Sequence, residues 1–135
     1  MTKKATARDD LAQAIDTIEG GYEFLLAYAA QGRHTDRDAT AAQSPRDRLE
    51  AMTEAMAALP ALARTVAGSI DAGLVADCAA FLDALERDAA VSVGAVRLVL
   101  SKQDLSSQLI DNLNASIHLR ALLADVFLID EALKQ

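Results

Sequence analysis

The stretch of sequence that decides the fold is LAQAIDTIEGGYEFLLAYA, from Leu11 to Ala29. Its apolar residues recur in alternating steps of four and three, the spacing of one face of a helix in a bundle: Leu11, Ile15, Ile18, Tyr22, Leu25 and Ala29. The spacing keeps its phase across Gly20 and Gly21, although each glycine costs a helix interior about 0.5–1 kcal/mol relative to alanine. The glycine pair therefore indicates a close approach by another helix, a bound ligand or a kink.

Composition extends the helical interpretation to the whole chain. The 135 residues are 52% hydrophobic and 4% aromatic, and they include two prolines. Valine and isoleucine do not alternate with polar residues, as they would in a half-buried strand. The length suits one domain with an adequate core. We therefore predict a single all-α domain over residues 1–135.

Helix starts are marked by a hydroxyl residue followed three positions later by an acid, which is the pattern of a capping box. The pattern begins at Thr6, Ser44 and Ser101. Together with the apolar spacing, it predicts helices over 7–31, 45–67, 70–100 and 102–134. Residues 1–6 are expected to be a flexible N-terminus and 32–44 a mobile polar loop. The predicted architecture is an antiparallel four-helix bundle, with the second helix kinked or broken at Pro60.

The net charge of the chain argues against two classes of partner, nucleic acids and anionic membranes. The net charge is −7 and the pI is about 4.7, so the chain repels nucleic acid phosphates and anionic membrane surfaces. No apolar run approaches the roughly 20 residues that span a bilayer, and no apolar segment of a signal peptide follows the first lysines. Cys78 is the single cysteine. We expect a cytoplasmic protein that binds neither nucleic acid nor membranes.

No metal site, cofactor or catalytic residue is predicted. Di-iron bundles need Glu-x-x-His motifs on two helices, and the chain has none; its histidines are His34 and His118. His118 lies on a polar helix face, where an ordinary solvated histidine is favoured over a phospho-acceptor. Cys78 lies on an apolar stripe, where a small buried hydrophobe is favoured over a catalytic thiol.

Apolar residues beyond those that a bundle needs indicate a partner surface. Segment 119–129 is apolar on nearly every side apart from Arg120 and Asp125, and such a helix is either central or covered by a partner. On a helical wheel, Phe24 and Tyr28 also point away from the apolar face of the first helix. We predict an outer interface made of Gly20, Gly21, Phe24, Tyr28, Leu122, Val126 and Ile129. A symmetric homodimer would cover it; alternatively, the two halves of the second helix wrap around and bury both sides.

Two functions follow from these patterns. The first is a non-enzymatic protein-interaction module, such as an adaptor, a chaperone-like protein or a regulatory accessory protein, that self-associates through this apolar helix face. The alternative is a small-ligand-binding or catalytic bundle with a cavity beside Gly20 and Gly21, its polar groups supplied by Glu19, Tyr22, Glu23 and Arg120. Arg120 falls near the centre of an apolar helix face, where a guanidinium needs an acidic partner.

Overall fold

The computed structural model describes residues 6–134, and every regular element in that range is helical. The helices are α1 (Ala7–Ala29), α2 (Pro45–Ile70), α3 (Leu74–Asp77), α4 (Ala79–Leu100), α5 (Ser107–Ala115) and α6 (Ile117–Ala132). A short 3-10 turn, Ala41–Gln43, precedes α2. The all-α prediction is confirmed for these residues. The predicted flexible N-terminus lies outside the described residues except for Thr6.

Two of the predicted helix starts are confirmed by their caps. The Thr6 hydroxyl accepts a hydrogen bond from Asp9 N at 3.1 Å, and the Asp9 carboxylate accepts one from Thr6 N at 3.3 Å. Ser44 caps α2 by accepting from Asp47 N at 3.2 Å. The predicted start at Ser101 is wrong, because Ser106 is the residue that caps the next long element, accepting from Leu109 N at 3.1 Å.

The second helix does not break at Pro60. Helix α2 runs without interruption from Pro45 to Ile70, and Pro60 is buried within it. Proline removes one backbone hydrogen bond from a helix interior, but α2 is buried against both α1 and α4. This packing on two sides offsets the missing bond and holds the chain helical. A bend at Pro60 stays a prediction.

The predicted third and fourth helices are each divided. A turn at 71–73 and the single-turn helix α3 precede α4, while Ser116 separates α5 from α6. Ser116 has an extended backbone, with φ −60° and ψ 127°. This break changes the phase of the buried stripe: Leu119 is buried, whereas Ile117 is exposed. Arg120 is also exposed, which corrects its predicted place at the centre of an apolar face.

One core joins the long helices. The most extensive packing is between α1 and α2, followed by α2 with α4, α1 with α5, and α4 with α6. The largest fully buried side chains come from five of these helices and from the segment before α5: Ile18, Leu25, Tyr28, Leu49, Met52, Met56, Leu59, Leu85, Leu105, Ile110, Leu119 and Leu122.

The polar loop predicted over 32–44 is present, and it is tied to the segment between α4 and α5. The Asp36 carboxylate accepts from Leu105 N at 2.9 Å, and Ser107 N donates to the Arg33 carbonyl at 2.8 Å. The Thr35 hydroxyl donates to Asp104 Oδ1 at 2.7 Å. These bonds give Arg33, Thr35 and Asp36 of the loop partners in that segment, while the mobility of the loop stays a prediction.

Candidate functional site

The residues predicted to form an outer partner surface do not lie together on the outside of the molecule. Gly20 and Phe24 are partly exposed. The others are buried in the core of the chain itself: Gly21, Tyr28, Leu122, Val126 and Ile129. The interface as predicted is therefore not available to a partner of the folded chain. The cause is the phase of α1 and α6, which differs from the phase that the sequence spacing indicated.

Gly21 accounts for the difference in α1. The buried stripe of this helix passes through Gly21, not through Tyr22 as the four-three spacing indicated. A Cβ atom at Gly21 would lie 2.5 Å from Met52 Sδ and 2.6 Å from Met52 Cγ, so the missing side chain makes room for Met52 of α2. The glycine pair had three possible explanations: the close approach of a helix, a bound ligand or a kink. The environment of Gly21 agrees with the close approach of a helix. A Cβ atom at Gly20 would meet nothing within 4 Å, so packing gives no reason for the first glycine.

Tyr28 is buried because it joins α1 to the segment before α5. Its hydroxyl donates to the Leu105 carbonyl, and its own carbonyl accepts from the Ser107 hydroxyl at 2.7 Å. Burial raises the pKa of the Tyr28 hydroxyl, although the Arg33 side chain acts in the opposite direction. Tyr28 therefore has a structural role inside the fold, whereas the sequence placed it on the outside.

The residues predicted for a ligand cavity are not gathered around one. Glu19 and Tyr22 are partly buried, and Glu23 and Arg120 are exposed. Burial, followed by the nearby carboxylates of Asp130, Asp16 and Glu23, raises the pKa of Glu19. Met52 fills the space beside Gly21. The geometry therefore gives no support to a binding site at the glycine pair.

His118 is exposed to solvent, and Cys78 packs against the core. His118 is exposed at the start of α6, and its backbone carbonyl accepts from the Ser92 hydroxyl at 3.1 Å. Cys78 is half-buried between α3 and α4 and packs against the core. Within residues 6–134, no group of three or more His, Cys, Asp or Glu side chains is placed to hold a metal ion.

An exposed apolar surface lies on α4 and α6 instead. We call it the α4/α6 face; its large members are Val91 and Leu98 of α4 and Ile117 and Leu128 of α6, with exposed fractions of 47%, 73%, 72% and 57%. Val91 and Leu98 are separated by two helical turns, and Ile117 and Leu128 by about three, so each pair shares one side of its helix. Half-buried alanines lie between them: Ala84, Ala95 and Ala121.

The two helices are antiparallel neighbours at this face. Ser92 contacts His118, while Asp88, one turn earlier on α4, interacts with Asp125, two turns later on α6. Because the earlier residue of α4 meets the later residue of α6, the two helices run in opposite directions. The sequence did not identify this face, because the outward position of Ile117 depends on the break at Ser116.

A pair of carboxyl groups lies in the groove between these helices. Asp88 and Asp125 are both half-buried, and Asp125 Oδ2 is a buried atom without a hydrogen-bond donor in the described part of the chain. Burial, together with hydrogen bonding to Asp88 and repulsion from its charge, raises the pKa of Asp125 to about 7. Two carboxyl groups can hydrogen-bond only if one carries a proton. Because the raised pKa keeps Asp125 protonated until about pH 7, its carboxyl group can supply the donor that a hydrogen bond to Asp88 requires.

Comparisons with protein-family models, with curated proteins and with solved structures found no match. Across residues 6–134, none of the helices has the length and apolar character needed to span a lipid bilayer.

Proposed function

We propose that this chain is a non-enzymatic protein-interaction module that self-associates through the α4/α6 face. The observation that carries the proposal is that Val91, Leu98, Ile117 and Leu128, all large and exposed, belong to two helices that are antiparallel neighbours. Single exposed apolar residues are normal on a soluble protein, whereas a contiguous patch marks an interaction site. Of the other large exposed hydrophobic residues, Leu26 lies on α1 and Ile70 ends α2, while Phe127 lies about 100° around α6 from Leu128.

A second copy of the chain is the partner that fits this face best. Ala84, Ala95 and Ala121 leave room for another helix backbone to approach closely, and the large residues around them can fill the gaps of an identical face. Self-association in symmetric pairs covers such a surface with one contact.

The packing order supports a four-helix architecture for this module. Helix α2 contacts α1 and α4, and α5 and α6 together close the ring by contacting α1 and α4. We propose an antiparallel four-helix bundle in which α5 and α6 form the fourth member and α3 is part of the connection to α4. The acidic composition and the single cysteine support a cytoplasmic location, which belongs to the same proposal.

The oligomeric state tests the function directly. Light scattering coupled to size-exclusion chromatography at tens of micromolar protein should give twice the chain mass for the wild type. Leu98→Asp and Ile117→Asp should each shift the population to monomer, because a carboxylate would be buried in the contact. Helix content should not change, since both side chains are exposed in the folded chain.

Phe127→Asp is the matched control. Phe127 is a large exposed residue of α6, with an exposed fraction of 54%, but its position on the helix places it away from Ile117 and Leu128. It should leave the dimer intact. A wild-type monomer at these concentrations, or equal loss of the dimer in the control variant, would contradict self-association through the α4/α6 face.

A further inference from the structure

An apolar cavity lies at the end of the fold where α2 and α6 finish and α4 begins. Its volume is about 450 Å³, within the range of roughly 300–1,000 Å³ that is common for small-molecule sites. Residues that line it include Leu74, Cys78, Phe81, Leu82 and Ile129. Leu74, Cys78 and Phe81 are only half-buried, so part of their apolar surface faces the open cavity and can still be covered by a ligand.

One wall of the cavity is weakly held. Helix α3, which contributes Leu74 and Asp77, is a single turn from Leu74 to Asp77 and has no side-chain cap. The preceding turn is held locally, by Gly73 N donating to Asp71 Oδ1 at 2.8 Å. A one-turn helix has few internal hydrogen bonds and opens at low cost, so a ligand can enter without disturbing the long helices.

The charged residue that lines the cavity favours one class of ligand head group. Asp77 is the one charged residue among those that line it, and it is exposed. An exposed carboxylate beside an apolar cavity attracts a cation and repels an anion, and the net charge of −7 adds to both effects. An amphiphile with a positive head group matches the cavity, whereas a fatty carboxylate does not.

We propose that this cavity binds an amphiphile that has one alkyl chain and a cationic ammonium head group. The chain occupies the space among Leu74, Phe81 and Leu82, and the ammonium group lies beside Asp77. The proposal does not rest on self-association; because Leu128 contributes to both the cavity and the α4/α6 face, binding is also measured in Leu98→Asp.

Cys78 provides the assay, because the single thiol of the chain lines the cavity. Its rate of reaction with an aromatic disulfide reagent is measured against increasing decyltrimethylammonium and decanoate, each below its critical micelle concentration, and against n-decanol below its solubility limit. Decyltrimethylammonium should protect the thiol saturably, and decanoate should need at least about tenfold more ligand. Shortening the chain from decyl to octyl should weaken binding about fifteenfold, since each of the two methylenes removed contributes about fourfold.

Four variants test where the ligand binds and what selects its head group. Ala132→Phe should fill the cavity and abolish the effect of every ligand, while Ala124→Phe, on the same helix but outside the cavity, should not. Asp77→Asn should remove the preference for the cation and leave decanol binding unchanged. Leu98→Asp should bind as the wild type does, even if it prevents self-association.

Calorimetric titration of the same ligands gives a reading that does not use the thiol. Unsaturable protection, protection that survives in Ala132→Phe, or equal binding of decanoate and decyltrimethylammonium would overturn the proposal. None of these results bears on the oligomeric state, so failure of the cavity and failure of the dimer are distinguishable.

Discussion

Replacing Asp125 by asparagine should make the protein more stable at neutral pH, and the gain should depend on pH. In the folded chain the pKa of Asp125 is raised from 3.8 to about 7 by burial and by Asp88. An unfolded chain loses this proton near its ordinary pKa, while the folded chain retains it until about pH 7. The contribution of Asp125 to the stability of the wild type therefore falls as the pH rises from about 4 to about 7, because the unfolded state is the one that ionises freely.

The change in the free energy of unfolding follows from the size of the pKa shift of Asp125. About three pKa units, at 1.36 kcal/mol each, give roughly 4 kcal/mol as an upper limit. Asp125 retains partial access to water, and solvent screening reduces the effect. We expect the stability of Asp125→Asn relative to the wild type to increase by about 1–2 kcal/mol between about pH 5 and about pH 8.

Urea unfolding at both pH values, at one low protein concentration, measures this difference. Comparing variant with wild type cancels the titration of the other carboxylates, including Asp104, whose pKa is lowered by the Thr35 hydroxyl and by nearby arginines. Asp88→Asn should remove much of the same pH dependence. Asp111→Asn, which changes an exposed carboxylate of α5, is the control and should show none. A difference that stays constant with pH would refute the raised pKa of Asp125.

Three further substitutions test the core. Gly21→Ala should destabilise the fold by about 1–3 kcal/mol in urea unfolding despite the better helix propensity of alanine, because the added Cβ would overlap Met52; a gain of stability would mean that Met52 moves aside freely. Tyr28→Phe should cost about 1–2 kcal/mol in thermal or urea unfolding, since the Leu105 carbonyl loses its donor; an unchanged midpoint would show that water replaces the hydroxyl. Asn114→Leu should stabilise the fold by about 1 kcal/mol, because the buried amide atoms of Asn114 have no partner in the described part of the chain; a loss of stability would indicate a partner for that amide.

Local signals predicted the elements of the first half of the chain well. The Thr6 and Ser44 caps set the starts of α1 and α2, and these caps depend only on residues within one turn. The end of α1 was predicted within two residues. Such features are readable because a hydroxyl and its backbone partner lie close together in the sequence.

The candidate site could not be predicted in the same way, because it depends on contacts between distant segments. Gly21 lies on the buried side of α1 because Met52 packs against it, and Tyr28 is buried because it packs against the segment around Leu105. A four-three spacing leaves the choice between Gly21 and Tyr22 open by one residue, which is about 100° of rotation. A glycine also contributes no apolar side chain that a periodicity argument can detect.

The exposure of Ile117 follows from where Arg120 must lie. If α5 continued in phase into α6, Leu113 and Ile117 would both point into the core, and Arg120, one turn later, would follow them. An unpaired guanidinium in the core costs several kcal/mol or more, whereas exposing one isoleucine costs about 1.5–3 kcal/mol. The break at Ser116 avoids the larger cost: it turns Arg120 to solvent and brings Leu119 into the core. Ile117 is left outside beside α4, so the same break that protects the core also supplies the apolar residue around which the proposed contact is built.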